Sequence, residues 1–326
     1  MKQATPLLAA AGSVTVVSDA VSRKAEKPKK GERKASEKKK GRGGKKGKGS
    51  GATIAEQADK YALYQKAVQE PEHEVEFFEL AYREANGHRE PVVLREDFCG
   101  TFAVCCAWAA SKLGRRALGV DLDPEPLAWG AANNLKPLTD EQKKRVRILE
   151  ADVRKVCSPK ADVLAAQNFS FFLFMERREL LGYFKAARRN LAPGGVMVMD
   201  MMGGPDCFLE DHNETRKCDG FSYTWRTEKV NPITQISEHS IGFKFKDGSR
   251  MREAFRYRWR MYSIPEIRDL LMEAGFARVD VYWEGATEDG DGDGNWRITT
   301  EAEMDPSWLC YVVARRDREA VSGGSV

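Results

Sequence analysis

Between residues 91 and 201 short apolar runs alternate with helical stretches, and this rhythm limits the chain to few folds. Pro91–Leu94, Ala117–Asp121, Arg145–Glu150, Ala161–Gln167 and Val196–Met201 read as strands. Phe102–Leu113, Pro126–Leu135 and Arg178–Leu191 read as helices between them. Strands joined by helices build right-handed βαβ units, hence an α/β, doubly wound sheet with both faces covered. Upstream, Ile54–Gln69 and Pro71–Ala85 carry helical spacing, with Pro71 opening the second helix. Residues 203–262 break the rhythm. Phe221–Thr227, Glu238–Phe245 and Met251–Met261 alternate large and polar residues around turns at Asn231-Pro232 and Asp247-Gly248. An antiparallel meander is expected there. A helix over Ile264–Ala274, stopped by Gly275, then leads into strands at Ala277–Trp283 and Trp308–Ala314.

Charge divides the chain. Of its 53 Lys/Arg and 49 Asp/Glu, residues 1–50 hold 15 and 4, leaving 38 against 45 for the remainder. Residues 22–51 contain no aromatic or large aliphatic side chain after Val21, so they have nothing to bury against the entropy of ordering. We expect a disordered basic tail over 1–51, a single domain over 52–316 and a short disordered tail over 317–326. The basic block follows the apolar residues instead of preceding them, which is the wrong order for a secretory signal. A cytoplasmic chain is expected, or a nuclear or organellar one if the basic segment is an address; any nucleic-acid contact would run through that tail alone. No apolar run reaches the ~20 residues that cross a bilayer. Seven cysteines without a C-x-x-C pair and four scattered histidines give no zinc or disulfide pattern, so no metal is expected. Asp289-Gly290-Asp291-Gly292-Asp293-Gly294 begins like a calcium loop, but its twelfth position is Thr300 where a bidentate carboxylate is needed. It reads as an acidic loop between strands.

The chemistry-bearing stretch is Val92-Val93-Leu94-Arg95-Glu96-Asp97-Phe98-Cys99-Gly100-Thr101-Phe102, a strand entering a tight turn and a helix. Open parallel sheets bind ligands beyond the carboxyl ends of their strands, and a helix N-terminus there offers free N–H groups. The second strand ends in Gly119-Val120-Asp121-Leu122-Asp123, where a carboxylate accepts ribose hydroxyls. Asp123, just before Pro124, suits a helix N-cap instead. The third strand ends in Glu150-Ala151-Asp152-Val153, placing another carboxylate in reach of an adenine amino group. Three consecutive strands ending in acidic residues suit an adenosyl ligand. A nicotinamide dehydrogenase is disfavoured, since G-x-G-x-x-G is missing after the first strand.

Over roughly residues 54–316 the chain resembles the class I S-adenosylmethionine-dependent methyltransferases. Their first motif is commonly D/E-x-G-x-G-x-G; here Glu96 takes the acidic position, and Phe98 and Phe102 replace the outer glycines around Gly100. Leu191-Ala192-Pro193-Gly194-Gly195-Val196 and the helix ending at Gly275 match the family too. The resemblance implies a Rossmann-like, seven-stranded, mostly parallel sheet with helices on both faces and an inserted antiparallel meander. It implies S-adenosyl-L-methionine as cofactor, with Glu96 on the methionine amino group, Asp121 on the ribose, Asp152 on the adenine, and Asn168-Phe169-Ser170 bordering the methyl group. Cys99, Gly100, Thr101, Leu122 and Val153 complete the cofactor set. Cys99 has no paired histidine or activating base and reads equally as a packing residue.

Methyl transfer from a sulfonium is an in-line displacement, so the protein must align the acceptor and exclude water. The fourth strand ends in Ala166-Gln167-Asn168-Phe169-Ser170-Phe171, not Asn-Pro-Pro-Tyr, against methylation of adenine amines or glutamine amides. No Pro-Cys nucleophile occurs there either. The meander reads as a lid, with Tyr223, Trp225, Tyr257 and Trp259 as aromatic faces and Arg256 or Arg258 as an anion clamp. Tyr61, Tyr64 and Phe171 are further candidates for lining the substrate pocket. No catalytic base is identified. The expected function is methyl transfer to an N or O atom of a small molecule. The alternatives are an RNA or protein methyltransferase tethered by its tail, and a non-catalytic adenosyl-binding protein.

Overall fold

A computed structural model describes residues 51–87, 89–287 and 292–318. The expected basic tail up to Ser50, most of the expected C-terminal tail, and the first three residues of the calcium-like loop lie outside the described residues.

Where one N-terminal helix was expected there are two, α1 (Ile54–Gln57) and α2 (Lys60–Val68). Ala58 is extended, and the Asp59 carboxylate restarts the helix by accepting the backbone N–H groups of Tyr61 and Ala62 at 2.9 and 3.1 Å. Helix α3 (Pro71–Asn86) begins at Pro71 as expected and ends on left-handed Gly87. The wound region follows as β1 (Val93–Asp97), α4 (Ala103–Ser111), β2 (Arg116–Asp121), α5 (Pro124–Gly130), α6 (Asp140–Lys143), β3 (Val146–Glu150), β4 (Ala161–Ala166), α7 (Arg177–Asn190) and β5 (Leu191–Gly203). A π-turn over Ala131–Leu135 extends α5. Asp123 caps α5, accepting the Glu125 N–H at 3.0 Å.

The meander is a separate antiparallel sheet of β6 (His212–Cys218), β7 (Phe221–Asn231), β8 (Ile236–Phe245) and β9 (Arg250–Arg260) in that order. Strand β6 has no hydrophobic alternation; it is a polar edge strand that escapes a pattern search. After α8 (Ile264–Glu273) come β10 (Arg278–Ala286), β11 (Gly292–Ile298) and β12 (Trp308–Arg315).

The main sheet runs β11-β10-β12-β5-β4-β1-β2-β3, with β3 to β5 parallel and the other three antiparallel. It has eight strands where seven were expected. The extra strand, β11, forms in a Gly- and Asp-rich segment with poor strand propensity because Trp296, 7% exposed, docks against Phe77 and Tyr311 at ring distances of 5.8 and 4.5 Å. One sheet face packs on Val75 and Phe78 of α3, Cys105 and Trp108 of α4 and Leu127 of α5. The other packs on Leu180 and Phe184 of α7 and Leu270 and Leu271 of α8. Among the described residues no helix is long and apolar enough to cross a membrane, and no cluster of three metal-ligating side chains occurs.

Candidate functional site

Strand β1 is longer than expected at its acidic end, so Glu96 and Asp97 are buried strand residues. Beyond it the chain turns through three left-handed residues, Phe98 (φ 59°), Gly100 (φ 50°) and Phe102 (φ 46°). The conformation glycine would give is therefore retained where phenylalanine stands, at a cost of ~1–2 kcal/mol per non-glycine residue. Ring burial offsets that cost. Phe102 is 1% exposed, and Phe98 packs edge-on against Tyr183 at 5.5 Å. Three bonds close the turn: Phe102 N–H to the Cys99 carbonyl at 2.6 Å, Cys99 N–H to the Val120 carbonyl at 3.2 Å, and Gly100 N–H to Asp121 Oδ2 at 2.7 Å. Helix α5 lies tight against it; a Cβ on Gly130 would sit 2.3 Å from the Thr101 carbonyl oxygen and 2.5 Å from the Phe102 ring.

The register gathers the acidic groups. Glu96 lies beside Gly119 and Ala165, and Ala165 beside Val198. Side chains alternate along strands, so Asp121, Gln167 and Asp200, each two residues further along, project from the same sheet face as Glu96. Glu74 of α3 joins them there, accepting the Tyr311 hydroxyl at 3.1 Å, while Tyr311 pairs with Asp200 across the sheet. Asp200 accepts the backbone N–H groups of Asn168 and Phe169 at 2.9 and 3.0 Å, which holds both residues left-handed (φ 56° and 57°). Glu96 accepts the Cys105 N–H at 3.1 Å. Burial pushes Glu96 and Asp200 up to about 7 and Glu74 up to about 8. Several polar atoms here are buried without a partner: both amide atoms of Gln167, the Thr101 hydroxyl and one Glu74 oxygen. Such groups are costly unless something pairs with them.

Asp121 uses one carboxylate lone pair on Gly100 N–H and another on Asp123 N–H at 2.9 Å. A carboxylate offers about four such sites, so two remain for hydroxyls. Asp152 is differently placed: Arg154 forks onto it at 2.8–3.2 Å and holds it below the usual carboxylate range. Its loop is anchored from β1 by a residue the sequence reading overlooked. Arg95, fully buried, pairs with Asp97 at 2.7 Å and donates to the Val153 and Val156 carbonyls at 2.6 and 2.8 Å. Tyr183 completes the group, donating to Asp97 at 3.1 Å. Leu122 is exposed at the lip, Val153 is buried, and Cys99 is 3% exposed with its thiol pushed well up by burial, a packing residue with no thiolate character.

Beside this hollow, under the four-stranded sheet, lies a pocket with about 370 Å³ of empty volume. Tyr64 and Val68 come from α2, Asn168 and Phe169 from the turn after β4, and Met202 from β5. The sheet contributes Tyr223, Trp225, Ile241, Tyr257 and Trp259. Tyr64, Tyr223, Trp225 and Trp259 thus line one space, as does Asn168. Three candidates do not. Phe171 is fully buried in the core against Phe172 and Phe184. Tyr61 packs between Trp129 and Phe255, both at 5.7 Å, bracing α2 on α5 alongside the Lys60–Glu125 ion pair. Arg256 corrects the clamp expectation: strand alternation turns it away from Tyr257 and Trp259, and its exposed side chain pairs with Glu253 at 2.6 Å. Asp200, Gln167, Glu74 and Tyr257 were not singled out as site residues. The sequence signal for Asp200 was available, a lone carboxylate ending the apolar run Val196–Met199.

No protein-family model and no curated protein matches the sequence. Solved structures do. An S-adenosylmethionine-dependent methyltransferase from Clostridium acetobutylicum ATCC 824 superposes with a TM-score of 0.57 at 16% identity, over 79% of this chain and 97% of that one. The amino pentose methyltransferase CalS10 from Micromonospora echinaspora gives 0.56 at 17%, over 78% and 95%. The sugar N-methyltransferase KedS8 from Streptoalloteichus sp ATCC 53650 gives 0.53 at 17%, over 82% and 96%. With its parallel strands, three antiparallel edge strands and added sheet, this chain has the fold of the S-adenosylmethionine-dependent methyltransferases.

Proposed function

We infer that the protein is an S-adenosylmethionine-dependent methyltransferase acting on an N or O atom of a small molecule. The observation that carries this reading is the alignment of Glu96, Asp121 and Asp200 on one sheet face at the strand ends, next to an enclosed aromatic pocket. Their environment fits a cationic adenosyl ligand. Buried carboxylates with raised pKa values and unpaired Gln167 and Thr101 groups are short of positive charge and of hydrogen-bond partners. CalS10, similar in fold, has been solved with S-adenosylmethionine bound.

In this reading Asp121 takes the ribose hydroxyls, while Glu96 and Gln167 face the methionine end. The ligand supplies an activated methyl group on a sulfonium. The chain aligns the acceptor and keeps water away: Asp200 fixes the Asn168-Phe169 turn, and Phe169, Trp225 and Trp259, all at most 5% exposed, close the pocket.

Calorimetric titration of the full chain with S-adenosylhomocysteine and S-adenosylmethionine tests the reading, and pH sharpens it. A cationic ligand binds the ionised carboxylates. Glu96 and Asp200 hold protons below about 7, so binding at lower pH must release them. Affinity is therefore expected to rise as pH increases from about 6 to 8, by at most about tenfold per pH unit for each proton released. Absence of binding at millimolar ligand, or affinity that falls over that range, contradicts it.

A further inference from the structure

The pocket under the four-stranded sheet has an unusual lining for an acceptor site. Six of its ten residues are aromatic, and none is charged. Trp225, Tyr257 and Trp259 form a continuous wall with ring distances of 4.7–5.8 Å, and Phe169 meets Trp259 edge-on at 5.9 Å. Tyr257 donates its hydroxyl to Tyr64. The Tyr223 hydroxyl is different. Tyr223 is 2% exposed, lines the pocket, and its oxygen has no hydrogen-bond partner.

We propose that the acceptor is the nitrogen of a small secondary aliphatic amine, its alkyl groups against the Trp225–Tyr257–Trp259 wall and its N–H donated to Tyr223 Oη. The proposal rests on the methyl-transfer reading above and deepens it. Two chemical arguments select nitrogen over oxygen. An alcohol must lose its proton as it attacks, and the lining offers no carboxylate, imidazole or amine to receive it. The three tyrosines do not substitute for one, because burial drives all their hydroxyls far above neutrality. A neutral amine needs no base in this step. Its lone pair forms the new N–C bond, the carbon–sulfur bond breaks with its electrons to sulfur, and the positive charge passes from sulfur to nitrogen. The product is a tertiary ammonium ion that keeps its N–H, and the proton leaves later to water. Aromatic faces stabilise the charge developing on nitrogen, which is stronger in the transition state than in the bound amine. The same lining disfavours a polyhydroxylated ring. Of its polar groups, only Asn168 and Tyr223 lack a partner within the tyrosine pair, too few for several hydroxyls.

The test compares two molecules of one shape, binding to the full chain saturated with S-adenosylhomocysteine. Protonated N,N-dimethylethanolamine is the cationic probe, and 3-methylbutan-1-ol replaces its nitrogen by carbon. The cation is expected to bind at least about fivefold tighter, as aromatic faces and one hydrogen bond to it require. Tyr223→Phe should erase most of that preference and leave S-adenosylhomocysteine binding unchanged; Trp259→Leu should weaken the cation more than the alcohol. Equal or tighter binding of the alcohol overturns the proposal. Failure to bind S-adenosylhomocysteine, measured first, overturns the underlying reading instead, so the two failures are distinguishable.

Discussion

Replacing Arg95 with leucine is expected to lower stability by about 3–5 kcal/mol, the cost of leaving a buried charge without its partner. Arg95 and Asp97 have no exposed side-chain surface and stand 2.7 Å apart. Removing the guanidinium strands the carboxylate, and Tyr183 alone remains to solvate it. It also strips the donors from the Val153 and Val156 carbonyls, so the loop after β3 loses its tie to the centre of the sheet. For a domain of this size the loss corresponds to a fall in melting temperature of ~10 °C. The double variant Arg95→Leu, Asp97→Asn should recover part of it, because no unpaired charge is then left inside. Thermal unfolding of the three proteins checks this; a single variant within about 1 kcal/mol of the parent would show that the pair carries little.

The second large effect falls on binding. Asp121→Ala is expected to weaken S-adenosylhomocysteine about a hundredfold or more, since hydrogen bonds to a charged group contribute ~1.5–3 kcal/mol each. The carboxylate both accepts the Gly100 N–H that shapes the turn and keeps lone pairs free at the tip of β2. It is only half-buried, so the fold should survive, with an unchanged circular dichroism spectrum. Asp123→Ala provides the contrast. That carboxylate caps α5, and losing it should cost about 1 kcal/mol of stability. Affinity should change little. Equal loss of affinity in both variants would mean that the turn, not the Asp121 carboxylate, had been damaged.

Much of this architecture was legible in the sequence because it depends on local signals. Alternating strands and helices announced the parallel sheet, and Pro71, Pro124 and Gly275 marked helix ends where the structure has them. The acidic strand tips were visible too, but their convergence was not. Only register shows that Glu96, Asp121 and Asp200 share a face. What escaped was decided by tertiary contact. Strand β11 exists because Trp296 finds a seat among Phe77 and Tyr311, 219 and 15 residues away by number (296 less 77, 311 less 296). Arg95 looked like an interruption in an apolar strand, since nothing local reveals the carbonyls it would hold. Arg256 shows the limit of pattern reading. Alternation placed it opposite Tyr257 and Trp259, but which side of the sheet faced the pocket was settled by packing, and the aromatic side won.

The most direct measurement is a crystal structure of the full chain grown with S-adenosylhomocysteine. Density for the ribose is expected against Asp121, with the amino-acid end among Glu96, Gln167 and Asp200 and the sulfur facing Phe169 and the aromatic pocket. Density elsewhere on the molecule, or an adenosyl group turned away from those three strand ends, would contradict the account.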